Sequence, residues 1–104
     1  MTPTTKLPKA FKAKWLKVLK SGKYRKGKDR LKNAEGGFCC LGVACAMTGM
    51  KRFGGKGVIS ESYRKVPKIL RGCAHTNPIV EQLTILNDFN DTFEPVIKYI
   101  EENL

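Results

Sequence analysis

The run FCCLGVACAM, residues 38–47, constrains the fold more than any other stretch, because nearly every residue in it is apolar or small. A helix that is apolar all round has no face suited to water and must lie inside the molecule. A glycine, Gly49, follows the run and is typical of the residue just after a helix. We therefore expect a buried central helix. Its interior Gly42 weakens a helix by about 1 kcal/mol relative to alanine, which suggests that another element approaches closely there.

Apolar spacing predicts an amphipathic helix ahead of this run, over residues 8–22. Pro8 suits the start of a helix, and Gly22 suits the position after its end. The buried stripe has the spacing i, i+4, i+7, i+8. Its members are Phe11, Trp15, Val18 and Leu19. The lysines of this segment fall largely outside the stripe and are expected to face water.

The remaining helical signals lie in the second half of the chain. A helix of one or two turns is expected over residues 66–72, and a packed helix over residues 79–89, where Ile85 is counted among the packed residues. Asn87, Asp88 and Asn90 are expected to end that helix in a turn. A last helix is expected over residues 91–104, with Asp91 as its N-cap and Glu94 completing a capping box.

The predicted fold class is α+β, as a single compact domain over residues 6–104 after a flexible leader at residues 1–5. About 100 residues are enough for one domain with its own core. The expected architecture has about four helices, with the CCLGV helix buried at the centre. A short β-hairpin is expected where DRLKN, residues 29–33, turns through AEGG towards FCC. The structure of residues 50–65 is not predicted.

Charge is distributed unevenly along the chain, whose net charge is +11. Residues 1–36 have 12 lysines and arginines against 2 acidic residues, whereas residues 76–104 have 1 against 6. A basic front half attracts nucleic acids, nucleotides or acidic protein surfaces.

No apolar run approaches the roughly 20 residues of a membrane span, and no signal-peptide pattern opens the sequence. The expectation is therefore a cytoplasmic protein with no membrane partner. Its oligomeric state stays open.

Four cysteines raise the question of reactive or metal chemistry. In a reducing cytoplasm they are expected to be free thiols. A zinc site needs about four converging ligands, usually including a short C-x₂₋₄-C loop. The candidates are Cys39, Cys40, Cys45, Cys73 and His75. Adjacent cysteines and a five-residue helical spacing do not make such a loop, and the sole histidine is far in sequence from the paired cysteines. We expect core thiols, with no metal, no cofactor and no catalytic residue. A small zinc-stabilised module is the weaker alternative.

The candidate ligand-binding residues lie just before the central helix. They are Lys20, Lys23, Tyr24, Arg25, Lys26, Lys28 and Arg30. Cations of this kind contact phosphates, and a tyrosine among them can stack on a base. Asn87 and Asp88 are added as candidate polar groups of a pocket. The FGGKGV stretch, residues 53–58, lacks the spacing of a P-loop, so it is either a minor anion-binding loop or a plain turn.

Several stretches together resemble a family of small uncharacterised proteins found mainly in phages and prophages. They are WLKVLKSGKYRKGKDRL, FCCLGVAC, VPKIL and LTILNDFNDTFEPVIKYIEENL. The chain departs from the family pattern at Lys26, where glutamine is common, and at Ala44, Asn90 and Thr92. The resemblance implies a phage setting and a role in host takeover or counter-defence.

These observations favour a non-enzymatic binding protein whose basic face meets an anionic partner, either nucleic acid or a nucleotide-like signalling molecule. The alternative is an inhibitor that binds an acidic surface of a host protein. An enzyme is disfavoured because no acid–base pair or nucleophile–base pair is recognisable in the sequence.

Overall fold

The computed structural model of the protein describes residues 6–28, 30–51, 53, 58–60 and 62–104. These residues form four α-helices and one 3₁₀ turn. In chain order they are α1 (Lys9–Ser21), α2 (Cys40–Met47), the 3₁₀ turn (Lys68–Leu70), α3 (Pro78–Asp88) and α4 (Glu94–Asn103). The predicted leader at residues 1–5 and residues 54–57 of the FGGKGV stretch lie outside the described residues.

The α+β class is wrong, since the described part of the chain is mostly α and has no strand. Where the hairpin was expected, Phe38 forms one isolated bridge with Lys26 and another with Lys32. Neither bridge extends into a ladder, because Cys39 is already the N-cap of α2 and the chain is helical from Cys40 onwards. The Asn33 side chain accepts a hydrogen bond from the Gly37 amide at 2.8 Å, and the Leu31 carbonyl accepts one from the Cys39 amide at 3.2 Å. The segment is therefore a loop pinned to the start of α2.

Helix α2 lies at the centre of the core, as the sequence predicts. All six residues from Cys40 to Cys45 are buried. Helices α1 and α3 both contact α2, and α4 contacts α1 and α3. The indole of Trp15 on α1 is fully buried and donates a hydrogen bond from Nε1 to the Cys40 carbonyl at 3.1 Å. This bond fixes α1 against the first residue of α2.

Gly42 is the point of closest approach between α2 and the loop before it. A Cβ atom built on Gly42 would lie 1.8 Å from the carbonyl oxygen of Leu31, which is backbone and has little freedom to move. The close approach expected from a glycine inside a helix is therefore confirmed. Only a residue without a side chain lets residue 31 lie against the α2 axis.

The other predicted helices are present, with the one expected over residues 66–72 reduced to the 3₁₀ turn, and three details differ. Helix α1 begins after Pro8 and ends at Gly22, whose φ is 75°. The N-cap of α4 is Phe93 and not Asp91; the Thr92 hydroxyl, at 3.4 Å, accepts from the Glu94 amide. We expect Ile85 to pack, but 43% of it is exposed, because it is two residues from Leu83 and from Asn87 and so lies off the buried face of α3.

The third difference concerns Asn87, which was expected in a turn after α3. It lies inside α3 and is fully buried. The buried residues of α3 are Val80, Leu83 and Asn87, with spacings of three and four residues, so the asparagine occupies a core position. Among the described helices, none combines the length and apolar character that crossing a lipid bilayer requires.

We expect Gly42→Ala to destabilise the protein by about 3 kcal/mol, because the added methyl group forces Leu31 away from α2. Urea unfolding followed by circular dichroism measures this loss. Gly36→Ala is the matched control: nothing lies within 4 Å of its new Cβ, but its φ is +84°. Only backbone strain of about 1 kcal/mol applies there. If Gly42→Ala stabilised the protein through the higher helix propensity of alanine, the close approach would be contradicted.

Candidate functional site

The basic loop, residues 23–32, displays most of the predicted ligand-binding cations on the surface. The exposed cations of its described residues are Lys23, Arg25, Lys28, Arg30 and Lys32. Of these, Lys32 was not among the predicted site residues. Lys28 lies 3.5 Å from a carboxylate oxygen of Asp91 on the α3–α4 connection, and both side chains are largely exposed. A surface pair of this kind contributes little and is readily exchanged for another anion.

A row of three aromatic rings runs beside these cations. Tyr24 and Phe38 meet edge to face with ring centroids 5.0 Å apart, and Phe38 and Phe53 do so at 5.5 Å. The Lys23 ammonium lies 5.7 Å from the Tyr24 centroid, and the Lys32 ammonium lies 5.5 Å from the Phe38 centroid. We call these five residues the cation–aromatic row. All three rings are partly exposed while packing against the core.

Two predicted cations have protein partners that hold them away from this row. Lys20, on α1, forms a salt bridge of 3.1 Å with Glu101 of α4. The Lys26 ammonium is partly buried and donates a hydrogen bond to the Asn87 carbonyl at the end of α3. Burial, followed by the nearby Lys28 charge, lowers the pKa of Lys26 from its ordinary value. Their roles as ligand-binding residues stay predictions.

Asn87 joins the basic loop to the centre of the fold. Its side-chain oxygen accepts a hydrogen bond from the Cys40 amide at 3.1 Å, in the first turn of α2. Its side-chain nitrogen donates to the Gly27 carbonyl at 3.0 Å and to the Asp88 carboxylate at 3.0 Å. A buried amide whose oxygen and nitrogen are both bonded is a positional constraint. The sequence pointed to Asn87 as a pocket group, and the structure gives it this clamping contact.

A cavity of about 420 Å³ has Asn87 in its wall. Its wall is formed by the start of α2 from Cys39 to Leu41, by Val58, by the loop from Cys73 to His75, and by Thr84, Asn87 and Asp88 of α3. The two predicted pocket residues, Asn87 and Asp88, therefore do line one cavity. The basic loop adjoins it, since Gly27 and Lys26 both contact Asn87.

Four of the five residues considered for zinc lie around this cavity, whereas Cys45 does not line it. Among the described residues, no group of three or more histidine, cysteine or acidic side chains is placed to hold a metal ion. The zinc-stabilised module therefore has no support from the geometry of the described part.

The buried thiols are poor nucleophiles in this environment. Burial raises the pKa of Cys39 to about 11 and that of Cys45 to about 12, and it raises the pKa of Cys40 as well. Cys39 serves instead as the N-cap of α2, where its sulfur accepts the Gly42 amide at 3.3 Å. Because the thiolate is the reactive form, these three side chains behave as small apolar residues.

Cys73 is the exception among the cysteines. It is partly exposed at the mouth of the cavity, and its sulfur lies 3.5 Å from the Thr76 hydroxyl. Hydrogen bonds from that hydroxyl and from the His75 backbone amide lower the pKa of its thiol. Among the hydrogen bonds between described residues, none joins this sulfur to the His75 ring.

Local sequence reasoning missed Phe38, Phe53 and the Cys73–His75 side of the cavity. Phe38 and Phe53 lie 14 and 29 residues after Tyr24 in the sequence, and only the folded chain brings their rings together. An aromatic residue next to a predicted core run gives no sign that it stays partly exposed. The one usable signal was the spacing of Val80, Leu83 and Asn87, which places the asparagine on the buried face of α3.

Replacing Asn87 by alanine is expected to cost about 3 kcal/mol or more in the free energy of unfolding. The change leaves the Cys40 amide and the Gly27 carbonyl without their partner, and each such group costs about 1–3 kcal/mol. Urea unfolding measures the loss. Asn103→Ala is the control, since Asn103 is exposed and its side-chain amide donates to the Tyr99 carbonyl within its own helix. Similar small losses of about 0.5 kcal/mol in both variants would refute the clamp.

The stability of the protein is expected to fall as the pH rises above 9, under reducing conditions. The unfolded thiols lose their protons near the ordinary pKa of 9.0, whereas folded Cys39 and Cys45 keep theirs up to about 11 and about 12. Stability is therefore fully present below pH 9 and declines by up to about 1.4 kcal/mol per pH unit for each thiol. Urea unfolding at pH 8 and pH 10 measures it.

Cys45→Ala should make this alkaline decline shallower. Cys73→Ala should not make it shallower, because the pKa of Cys73 is lowered and this thiol therefore contributes with the opposite sign. A Cys45→Ala protein with the same pH dependence as the parent would show that burial does not protect the thiol proton.

Comparison with known proteins identifies the family of the chain but no function. No curated protein and no solved structure matches it significantly. A family model described as a domain of unknown function, DUF8296, matches residues 7–65. That match spans α1, the basic loop and α2 and includes the SGKYRKGKDRL and FCCLGVAC stretches; it shows no phage origin. The chain belongs to the DUF8296 family.

Proposed function

We propose that this protein is a non-catalytic binding protein for an anionic partner, and that the partner is single-stranded nucleic acid held on the basic loop. The observation that supports this most strongly is the cation–aromatic row. Single-strand binding sites combine cations that follow the phosphates with aromatic rings on which bases stack. Both components lie side by side here.

The electrostatic part of the proposal depends on the exposed cations of the basic loop. Among the described residues, Lys23, Arg25 and Arg30 have no ion pair with a carboxylate. The segment around them has a strong excess of positive charge, and the acidic residues are concentrated in α3, α4 and their connection. A surface with unpaired cations attracts a polyanion from a distance and releases counterions when the polyanion binds.

The three rings of the cation–aromatic row favour single-stranded nucleic acid over a duplex as the partner. In a duplex the bases are stacked on each other and offer no free faces, whereas an unpaired base can lie against a ring. Phe38 occupies the middle of the row, with Tyr24 and Phe53 on either side. The non-catalytic part of the proposal is supported by the buried, protonated state of Cys39, Cys40 and Cys45.

The wider role that we propose is host takeover or counter-defence in a phage setting, which has only the resemblance described above as its support.

A second candidate function, inhibition of a host protein, is favoured by a different feature. Ile85 and Phe89 are four residues apart on one side of α3 and its C-cap, with 43% and 83% of their surfaces exposed. Exposed apolar residues of this kind are found at protein interfaces.

Binding to a fluorescently labelled 15-nucleotide oligo(dT) is expected to weaken steeply with salt. Arg25→Gln/Arg30→Gln should lower the affinity and reduce the slope of log K against log salt by about 1.4, because each phosphate contact on a single strand contributes about 0.7. Fluorescence anisotropy measures both quantities. Lys68→Gln/Lys98→Gln removes the same charge from exposed positions elsewhere and should leave the slope nearly unchanged. Equal effects of the two double variants would refute a local site.

Phe53→Leu is expected to weaken oligo(dT) binding by about 5- to 150-fold, which is the range for losing one stacked base. Phe89→Leu is the matched control, because Phe89 is the more exposed ring and lies outside the row. Binding to a duplex of equal length should respond to neither change. If Phe53→Leu bound the single strand as the parent does, the aromatic row would not be a stacking surface. If Phe89→Leu reduced binding instead, the α3 surface would be the site.

A further inference from the structure

The cavity beside Asn87 has the size and enclosure of a small-molecule site. Ligand pockets in proteins span about 300–1,000 Å³, and this one measures about 420 Å³. An apolar cavity of about 150 Å³ is enough to hold benzene. The volume therefore suits a small organic molecule rather than a single small ion or a chain of several residues.

Most of the cavity wall is apolar and uncharged. Leu41, Val58 and Ala74 supply hydrocarbon, and Cys39 and Cys40 supply sulfur. Because burial raises the pKa of both thiols, this part of the wall stays neutral near pH 7. An anionic ligand would lose its hydration against these groups without compensation.

The cavity has polar side chains on α3, namely Thr84, Asn87 and Asp88, and one on the preceding loop, His75. Thr84 and Asp88 are four residues apart on α3, so their side chains are neighbours on the same helix face. The Asp88 carboxylate accepts a hydrogen bond from the Asn87 amide at 3.0 Å, and a carboxylate has acceptor capacity for more than one donor. This side of the wall favours a ligand with an N–H or O–H group, and its negative charge disfavours an anion.

We propose that this cavity is a binding site for a small, largely apolar molecule without negative charge, with an N–H donor directed at Asp88 and Thr84. The site is separate from the cation–aromatic row and does not depend on nucleic-acid binding. Cys73 lies at its mouth, so an occupant shields this thiol from reagents in solution.

Three probe molecules that share a fused bicyclic ring test the proposal on the unmodified protein. Indole has the rings and the donor, benzofuran has the rings without the donor, and indole-3-carboxylate adds a negative charge. Two-dimensional ¹H–¹⁵N NMR titrations should show indole shifting the amide signals of Ala74 and Thr84 with a Kd below about 1 mM. Benzofuran should bind about tenfold more weakly, and indole-3-carboxylate should bind least.

Alkylation by iodoacetamide, followed by mass spectrometry, is the second readout. Cys73 should react first among the four cysteines, and saturating indole should slow its reaction at least fivefold. Signals that do not move with indole, an unprotected Cys73, or tighter binding of the carboxylate than of indole would each overturn the proposal.

Asp88→Asn keeps the shape of the side chain but removes its charge, and it should weaken indole about tenfold, to the level of benzofuran. Asp91→Asn is the matched control, because this carboxylate is exposed three residues further on and pairs with Lys28 outside the cavity. Equal indole affinity in a folded Asp88→Asn protein and in Asp91→Asn would overturn the role of Asp88. If Asp88→Asn does not fold, the three-probe comparison on the unmodified protein decides the proposal by itself.

Discussion

The buried amide of Asn87 is the contact on which the rest of the arrangement depends. It bonds the first amide of α2 on one side and a carbonyl of the basic loop on the other, across 47 and 60 residues of sequence. A helix start normally leaves its first amides without partners inside the helix, and a buried start needs them satisfied from outside. Asn87 satisfies one of them, and in doing so it sets the position of α3 against α2.

The same contact makes the two candidate sites neighbours without merging them. Gly27 is held by Asn87, and Leu31 lies against Gly42, so the basic loop is tied to the core at two points. Between and around these points its cations face outwards, beside Tyr24 and Phe38. The cavity shares Asn87 with this arrangement, and its wall is mostly apolar, with Asp88 as its carboxylate. One surface is therefore charged and open, while the other is apolar and enclosed.

The sequence predicted what depends on local periodicity and missed what depends on distant contacts. The stripe of Trp15 and Leu19 and the apolar α2 run gave the helices and the core, because a buried helix face repeats at fixed spacing. The hairpin prediction was wrong. The sequence shows the turn residues near Asn33, but it does not show that Leu31 lies against Gly42 of α2. The sequence places Asn87 in a turn after α3, because asparagine is common in turns. The cationic segment was visible in the sequence. Phe53 and Cys73 are distant from it in sequence, and only packing places Phe53 beside Phe38 and Cys73 in the cavity wall.

Hydrogen–deuterium exchange at the Cys40 backbone amide tests the clamp most directly. Because this amide is in the first turn of α2, it has no acceptor within its own helix, and its protection must come from Asn87. The account predicts that it exchanges only on global unfolding, as slowly as the central α2 amides. Exchange as fast as that of an unbonded first-turn amide would contradict the account, because the basic loop and α3 would then be held to the core by something else.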